Sequence, residues 1–511
     1  MLPQHEPVTD KDASLLGAES GQPRHNHLYR NCSVSFFFRV SRILVGRLLI
    51  VLTPSFLQRH HHKHQQLARD DNFSTAWLDG IRGLASFCVF LFHHSRYGHP
   101  NIKIAYGGSD EQQSLIQLPI IRLAVHGRTM VALFFIVSGY ALSVSPLRLI
   151  RQRDYETLAR RLSSSVFRRG IRLMLPSFVA ACMHYAAQRA GLVRAAGAYS
   201  STFWNDTRAL LSEFFGSLVN PFTWSNDVVD LFYGPQLWTI PIEFRASMLL
   251  FVTLLGLARA VTAVRLSAVA FLCVYSMAVR QWDVSLFMSG VLIADHTGRR
   301  SPSPISFPST ASSPPPSPPL AARSRPADDD RTPLPPRRTS LLLSGLLLFG
   351  LYLGSYPTQR ADTTNVYKWL YRLGPADADF KSRLWTSVGA ALAVAATSFL
   401  TTSCCSSSSG RWWCCRAAVL ESRPVQYLGR ISYALYLTHY LLNDLVGRPL
   451  TRFVWDHVGV VVWLAYEGGW LVATALYVPL VIWVADVFWR VVDVRSVAFA
   501  REVERWCTRG C

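Results

Sequence analysis

Residues 130–147 read MVALFFIVSGYALSVSPL and contain no charged side chain. A helix needs about 17–25 apolar residues to cross the hydrocarbon core of a bilayer, so this run is long enough to span it. Nine further apolar stretches occur along the chain, of which 263–279 and 281–296 are short and nearly contiguous. The ten candidate spans are 82–98, 130–147, 170–189, 236–258, 263–279, 281–296, 340–357, 385–402, 428–447 and 459–485. The sequence therefore predicts an all-α fold, a polytopic transmembrane bundle of about ten helices.

The composition agrees with a membrane protein. Half of the 511 residues are hydrophobic and only 16% are charged, which is more apolar surface than one soluble domain would bury. The net charge of +20 also suits nucleic-acid binders, but those proteins gather their basic residues on one soluble face. Here the basic residues lie between the apolar runs. We therefore expect the lipid bilayer as a partner and no nucleic acid.

The arginines predict an orientation. If the N-terminus is cytosolic, ten spans place 148–169, 297–339, 403–427 and 486–511 on the cytosolic side, and together with the N-terminal tail these segments hold more than half of the arginines. The loop 357–384 fits this orientation poorly, because its basic residues would face the other side. They are Arg360, Lys368, Arg372, Lys381 and Arg383. We expect a multi-pass protein of an endomembrane or the plasma membrane with both termini in the cytosol.

Changes in composition divide the chain. An apolar segment with three arginines, 34–57, suits an interfacial helix on the membrane surface. The histidine-rich tract 60–64 predicts a solvated segment and no metal site. The predicted parts are a cytosolic tail with the interfacial helix (1–74), the first six spans (75–296), a disordered Pro/Ser/Arg-rich cytosolic insertion (297–339), the last four spans (340–495) and a second cytosolic tail (496–511).

Charged side chains inside the predicted spans point to a functional site, since each is costly in hydrocarbon. In the first span, Arg82 precedes His93 by eleven residues. At 1.5 Å and 100° per residue, the two side chains lie about 16 Å apart along the helix and on one face. This spacing predicts a polar channel. Equally, Arg82 could reach the headgroups beside Asp79, and His94 is the neighbouring alternative to His93.

The second and third spans also carry candidate site residues. In the second span, Ser138, Gly139 and Tyr140 either line a polar path or serve helix packing. In the third, Arg169 and Arg172 lie one turn apart and could hold a phosphate, or they are ordinary cytosolic arginines.

The remaining candidates are an acid and a histidine. In the fourth span, Glu243 could orient or deprotonate a histidine. It should not pair with Arg245, because helix residues two apart do not face each other. Near the end of the chain, His439 predicts a hydrogen-bonded structural or acceptor-site group.

Five segments together resemble the acyltransferase 3 family of membrane O-acyltransferases, over about residues 75–495. The match concerns the order of the motifs as well as their type. The matching segments are Trp77 to His93 (an arginine and a histidine with ten residues between them), FFIVSGY at 134–140 (FFxxSGY), RGIR at 169–172 (RxxR), Leu237-Trp238 with Glu243 (LW…E) and ISYALYLTH at 431–439 (SYxLYLxH). The chain looks like a eukaryotic, fungal-like member without the fused soluble domain of bacterial members.

The resemblance implies that an acyl group, usually acetyl, moves from acyl-CoA to a hydroxyl of a glycan, lipid or small metabolite. Acyl-CoA is then a donor substrate, and no permanently bound cofactor is expected. His93 would deprotonate the acceptor or attack the thioester first, and Glu243 would stabilise its imidazolium. The residues implied in substrate binding are Arg82, Arg169, Arg172, Ser138, Gly139 and Tyr140.

Two other functional classes remain open at this point. A proton-coupled transporter also places His, Arg and Glu inside the membrane. A non-catalytic scaffold that binds acyl-CoA or lipid would keep the same residues without transfer. Assay of acyl transfer distinguishes the enzyme from both.

Overall fold

The computed structural model describes residues 46, 49, 51–58, 75–108, 114–193, 202–220, 231, 233–300, 337–404 and 419–508. The chain divides into two units, Met1–Thr53 and Pro54–Cys511. The helical bundle lies in the second unit. Most of the predicted interfacial helix 34–57, the histidine tract 60–64 and most of the insertion 297–339 lie outside the described residues.

The described part of the chain is helical and contains no strand, which confirms the predicted all-α fold. Each of the ten predicted spans overlaps one of its helices. The helices are α1 (Ala76–Gly98), α2 (Gly127–Gln152), α3 (Tyr155–Arg189), α4 (Phe203–Glu213), α5 (Thr239–Gly256), α6 (Thr262–Ala278), α7 (Trp282–Arg300), α8 (Arg337–Gly354), α9 (Lys368–Leu373), α10 (Ala378–Cys404), α11 (Arg423–Leu442), α12 (Arg448–Val458), α13 (Trp463–Phe488) and α14 (Val494–Cys507).

Apolar helices with exposed apolar side chains identify a membrane protein. Four helical segments of the described chain are long and apolar enough to cross a bilayer: Gly127–Gln152, Pro235–Gly256, Ala378–Leu400 and Trp463–Cys507. Two shorter helices, Thr262–Ala278 and Ser340–Gly354, are also apolar. Large apolar side chains point outward on them, among them Val274 at 71% and Leu342 at 73% exposure. Such apolar faces are unfavourable in water and favourable in lipid, as expected for a membrane protein. The count of ten spans remains a prediction.

Charged side chains inside the bundle are paired between helices. Asp283 and Asp295, both buried on α7, accept hydrogen bonds from arginines of three other helices. The pairs are Arg245–Asp283 at 2.8 Å from α5, Arg265–Asp295 at 3.1 Å from α6 and Arg151–Asp295 at 3.0 Å from α2. A buried charge without a partner is strongly destabilising, so these pairs fix α7 against its neighbours. Arg245 thus pairs across helices and not with Glu243, as predicted.

Helices α1 and α11 approach at glycine. A Cβ added to Gly83 would overlap the backbone nitrogen of Gly429, and one added to Gly429 would overlap the carbonyl of Asp79. Small residues permit this backbone contact, which is a common basis of helix association in membranes. Because the helices run so close, Arg82 reaches Ser432, with 3.2 Å between Nη2 and Oγ. The same contact brings the far end of α1 alongside the end of α11.

We predict that Gly83→Ala or Gly429→Ala lowers the free energy of unfolding by about 1–3 kcal/mol, because the added methyl meets backbone atoms that cannot turn away. Melting temperatures of the detergent-purified full chain measure the effect. The matched control is Gly468→Ala in α13, where a Cβ would meet no atom within 4 Å. This control reports the change in helix propensity alone. Equal melting temperatures for all three variants would contradict the proposed packing role.

Candidate active site

A cavity of about 350 Å³ lies where several helices begin or end. Its wall is formed by the end of α1, the start of α2, the turn that precedes α5, and the starts of α7 and α10. His93 lines it, together with the aromatic rings of Trp238, Trp282 and Tyr436. The volume lies within the usual range for a small-molecule site, about 300–1,000 Å³.

The two neighbouring histidines of α1 have different environments. The His94 ring is buried, with Nδ1 3.2 Å from Asn443 Oδ1 and Nε2 3.0 Å from Thr474 Oγ1. Both of its nitrogens are therefore occupied by structural contacts. One helical step of 100° turns His93 toward the cavity instead, and its ring makes no hydrogen bond within the described residues. Of the two histidines, His93 is the one available to a substrate.

His439 lies beside His93, with 5.2 Å between the ring centroids. Its Nδ1 is 2.8 Å from the carbonyl oxygen of Tyr436 and 3.1 Å from that of Leu435. A carbonyl only accepts hydrogen bonds, so the Nδ1 of neutral His439 carries the proton and Nε2 keeps its lone pair. Within the described structure, this buried Nε2 has no partner. His439 is thus a structurally held acceptor next to His93.

A polar chain holds the cavity wall in place. The Tyr436 hydroxyl lies 2.6 Å from Thr239 Oγ1 and donates to the carbonyl oxygen of Gln236. The Gln236 amide in turn donates to the carbonyl of Leu437 at 2.8 Å. These contacts join the start of α5 to α11. They position Trp238 and Tyr436, both of which belong to segments that the sequence singled out.

Glu243 does not act on His93 in this structure. Its carboxylate accepts hydrogen bonds from Arg169 Nη2 at 2.8 Å and from Ser138 Oγ at 3.2 Å. It does not line the cavity, because it lies one helical turn beyond Thr239 along α5. Arg169, whose Nε also donates to Ser247 Oγ at 3.0 Å, is therefore largely neutralised by Glu243. The expected contact between Glu243 and His93 is absent from the described residues.

The three predicted arginines converge at the end of α1 that lies away from the cavity. Arg82 donates to Asp79 at 3.3 Å and to Ser432 at 3.2 Å. Arg172 is exposed and lies within electrostatic range of both Arg82 and Arg169. No ion pair of Arg172 is found in the described part of the chain. An arginine cluster of Arg82 and Arg172, with Asp493 within electrostatic range of both, thus faces one end of the bundle, while His93 faces the other.

Gly139 and Tyr140 serve packing. A Cβ at Gly139 would overlap the carbonyl oxygen of Phe287 on α7. The buried hydroxyl of Tyr140 lies 2.9 Å from Thr297 Oγ1, and its ring meets Trp77 edge to face. Neither residue lines the cavity. Their predicted contact with a substrate remains a prediction, and Ser138 alone of this motif reaches Glu243.

Sequence reasoning missed a set of charged residues around His93. Arg96, Lys103, Arg128 and Arg383 line the same cavity, and Asp379 is its single carboxylate among the described lining residues. Arg383 belongs to the basic loop that fitted the predicted orientation poorly. Another basic residue of the loop 357–384, Lys381, is buried, and its ammonium group lies 3.5 Å from the centroid of the Tyr371 ring. The excess of basic residues in 357–384 was the signal that could have revealed this set.

His126, which precedes α2, also lines the cavity. Its Nδ1 lies 2.8 Å from Thr129 Oγ1, whose hydroxyl donates to the carbonyl of Gly354. Burial, and after it the charges of Arg122 and Arg128, lower the pKa of His126 well below its usual range. His126 is therefore neutral at physiological pH and adds no charge to the cavity.

Comparison with known proteins identifies the family of the chain. Residues 75–490 match a family model described as an acyltransferase domain. The chain is 32% identical to O-acetyltransferase PaAT-1 of Phomopsis amygdali over 48% of this chain and 52% of that protein, or about half its length. It is 24% identical to acyltransferase clz18 of Cochliobolus lunatus, over 75% of this chain and 86% of that protein. Acyltransferase R4 of a Phoma species is also 24% identical, over 78% and 88%. No solved structure matches the chain.

We predict that Arg169 and Glu243 are energetically coupled. Arg169→Gln and Glu243→Gln should each lower the free energy of unfolding. The double variant should lose about 1–2 kcal/mol less than the sum of the two single losses, and this difference is the coupling energy. Melting temperatures of the purified variants give this coupling. Arg172→Gln, the same change one turn away on a side chain without an ion pair in the described structure, should leave the melting temperature unchanged. Strictly additive losses would show that the pair has no structural role.

Proposed function

The chain belongs to the acyltransferase 3 family, and we propose that this O-acyltransferase moves an acetyl group from acetyl-CoA to a hydroxyl of a glycan, lipid or small metabolite within the membrane. The observation that carries the proposal is the cavity at His93, at the opposite end of α1 from the arginine cluster. The relative PaAT-1, named an O-acetyltransferase, supports the acetyl group. Membership in a family of acyltransferases makes the alternative function, a proton-coupled transporter, less favoured.

The donor would bind from the arginine end. Arg82 and Arg172 supply accessible guanidinium groups that can hold the phosphates of coenzyme A, even with Asp79 and Asp493 nearby. Arg169, by contrast, is more buried and is paired with Glu243 at 2.8 Å. The pantetheine arm, an extended chain between the phosphates and the thioester, would then follow α1 toward His93, about 16 Å away. In the orientation that the arginines predict, this end of α1 faces the cytosol, where acyl-CoA is made.

The transfer would use His93 as the general base. His93 takes the proton of the acceptor hydroxyl while that oxygen attacks the thioester carbonyl and forms the new C–O bond. The C–S bond then breaks, and the coenzyme A thiolate leaves with the proton that His93 held. The neighbouring Nε2 of His439, which has no partner in the described structure, would accept the other N–H of His93 and so keep the His93 lone pair toward the acceptor. An acetyl-histidine intermediate on His93 would need the same arrangement.

We predict that His93→Ala reduces acetyl transfer at least 100-fold without lowering the melting temperature, because the ring faces a cavity and makes no structural hydrogen bond among the described residues. The assay follows labelled acetyl-CoA into products of a small-molecule extract, with membranes that contain the full chain. The matched control, His94→Ala, removes a ring held at both nitrogens and should lower the melting temperature. Wild-type transfer by His93→Ala would refute the assignment of the base.

A further inference from the structure

The cavity at His93 carries an excess of positive charge. Of its four lining cations, two are neutralised in part by one carboxylate: Asp379 Oδ1 lies 2.6 Å from Arg128 Nη2, and Asp379 Oδ2 lies 2.8 Å from Arg383 Nε. Lys103 and Arg96 have no carboxylate partner in the part of the chain that the structure describes. Four cations against one carboxylate leave a formal excess of three positive charges beside the base.

The fold holds these cations in place. Arg122 is wholly buried and donates from Nη2 to the carbonyls of Ile102 and Lys103, at 3.3 and 3.2 Å, which fixes the backbone that presents the Lys103 side chain. The Arg96 guanidinium lies over the Phe92 ring, 5.8 Å from its centroid. Burial, and after it the charges of Arg96 and Arg128, lower the pKa of Lys103.

Bringing like charges together in a partly enclosed cavity costs free energy, which a bound anion would offset. The predicted orientation does not account for these charges, since they lie on the side where basic residues are disfavoured. The nearby walls are aromatic, formed by Phe92, Trp238 and Trp282. An occupant that matches both features has an anionic group and an apolar skeleton.

On the basis of the proposed function, we infer that the acceptor is an anionic small metabolite, an apolar skeleton with a hydroxyl at His93 and a carboxylate or phosphate held by Lys103 and Arg96. The anionic group orients the acceptor and does not react. Arg128 and Arg383, paired with Asp379, contribute to the field of the cavity. The donor phosphates are assigned elsewhere, because the Arg82 and Arg172 cluster lies about 16 Å along α1 from His93.

The first test works with an acceptor of unknown identity. Membranes containing the full chain are incubated with labelled acetyl-CoA and a small-molecule extract of cells that lack the protein. Residual acetyl-CoA and free acetate, which are themselves anions, are first removed by chromatography against standards, and the remaining labelled products pass over a strong anion exchanger at pH 7. We expect the labelled product to be retained. Loss of retention after methylation would identify a carboxylate, and loss after phosphatase treatment a phosphate.

The other outcomes distinguish failure of this inference from failure of the proposed function. A labelled product that the exchanger does not retain overturns the anionic acceptor and leaves the acetyltransferase intact. No labelled product above control membranes contradicts the proposed function itself, and the inference then falls with it.

The second test assigns the anion to its cations. We expect Lys103→Gln and Arg96→Gln each to raise the amount of extract needed for half-maximal rate about 10-fold, with the KM for acetyl-CoA unchanged. Lys368→Gln is the matched control, because Lys368 is exposed on α9 and does not line the cavity. A rise in the acetyl-CoA KM instead would assign this charge to the donor phosphates. Wild-type values for both variants would equally overturn the inference.

Discussion

The backbone contact between α1 and α11 at Gly83 and Gly429 is the constraint on which the site depends. It sets the distance between two helices that carry Arg82 and Ser432 at one end and the His93 and His439 rings at the other. A side chain at either glycine would overlap backbone atoms of the other helix and push the two helices apart at this contact. The orientation of His93 and of the polar lining opposite it therefore depends on the absence of a side chain at these two glycines.

The basic side chains inside the bundle fall into two groups, according to whether a buried carboxylate pairs with them. Arg245, Arg265 and Arg151 meet buried carboxylates of α7, and these pairs stabilise the packing of α7 against its neighbours. Lys103 lines the cavity and has no carboxylate partner in the described structure, whereas Arg172 is exposed and has only the more distant Asp493 within electrostatic range. Because an unpaired charge in a membrane protein is costly, this difference is the basis on which we propose the second group as functional residues.

Part of the candidate site followed from one-dimensional spacing. The eleven-residue step from Arg82 to His93 placed both on one face of α1, because a helix has a fixed rise and turn. The same spacing could not show that Glu243 pairs with Arg169, since that contact depends on how α3 packs against α5. It also could not distinguish the packing role of Gly139 from a substrate contact, because both require a small residue.

The sequence by itself determined that the chain is an all-α membrane protein with the motifs of an acyltransferase family, since apolar run length and motif order are properties of the chain alone. Only the tertiary structure decided which polar groups share a cavity. Arg96, Lys103, Arg128 and Arg383 come from four separate segments, and no local pattern relates them. The physical reason is that helix packing decides which side chains are buried and which charges lie close together. The periodicity of one helix shows which residues share a face, but not which helix packs against that face.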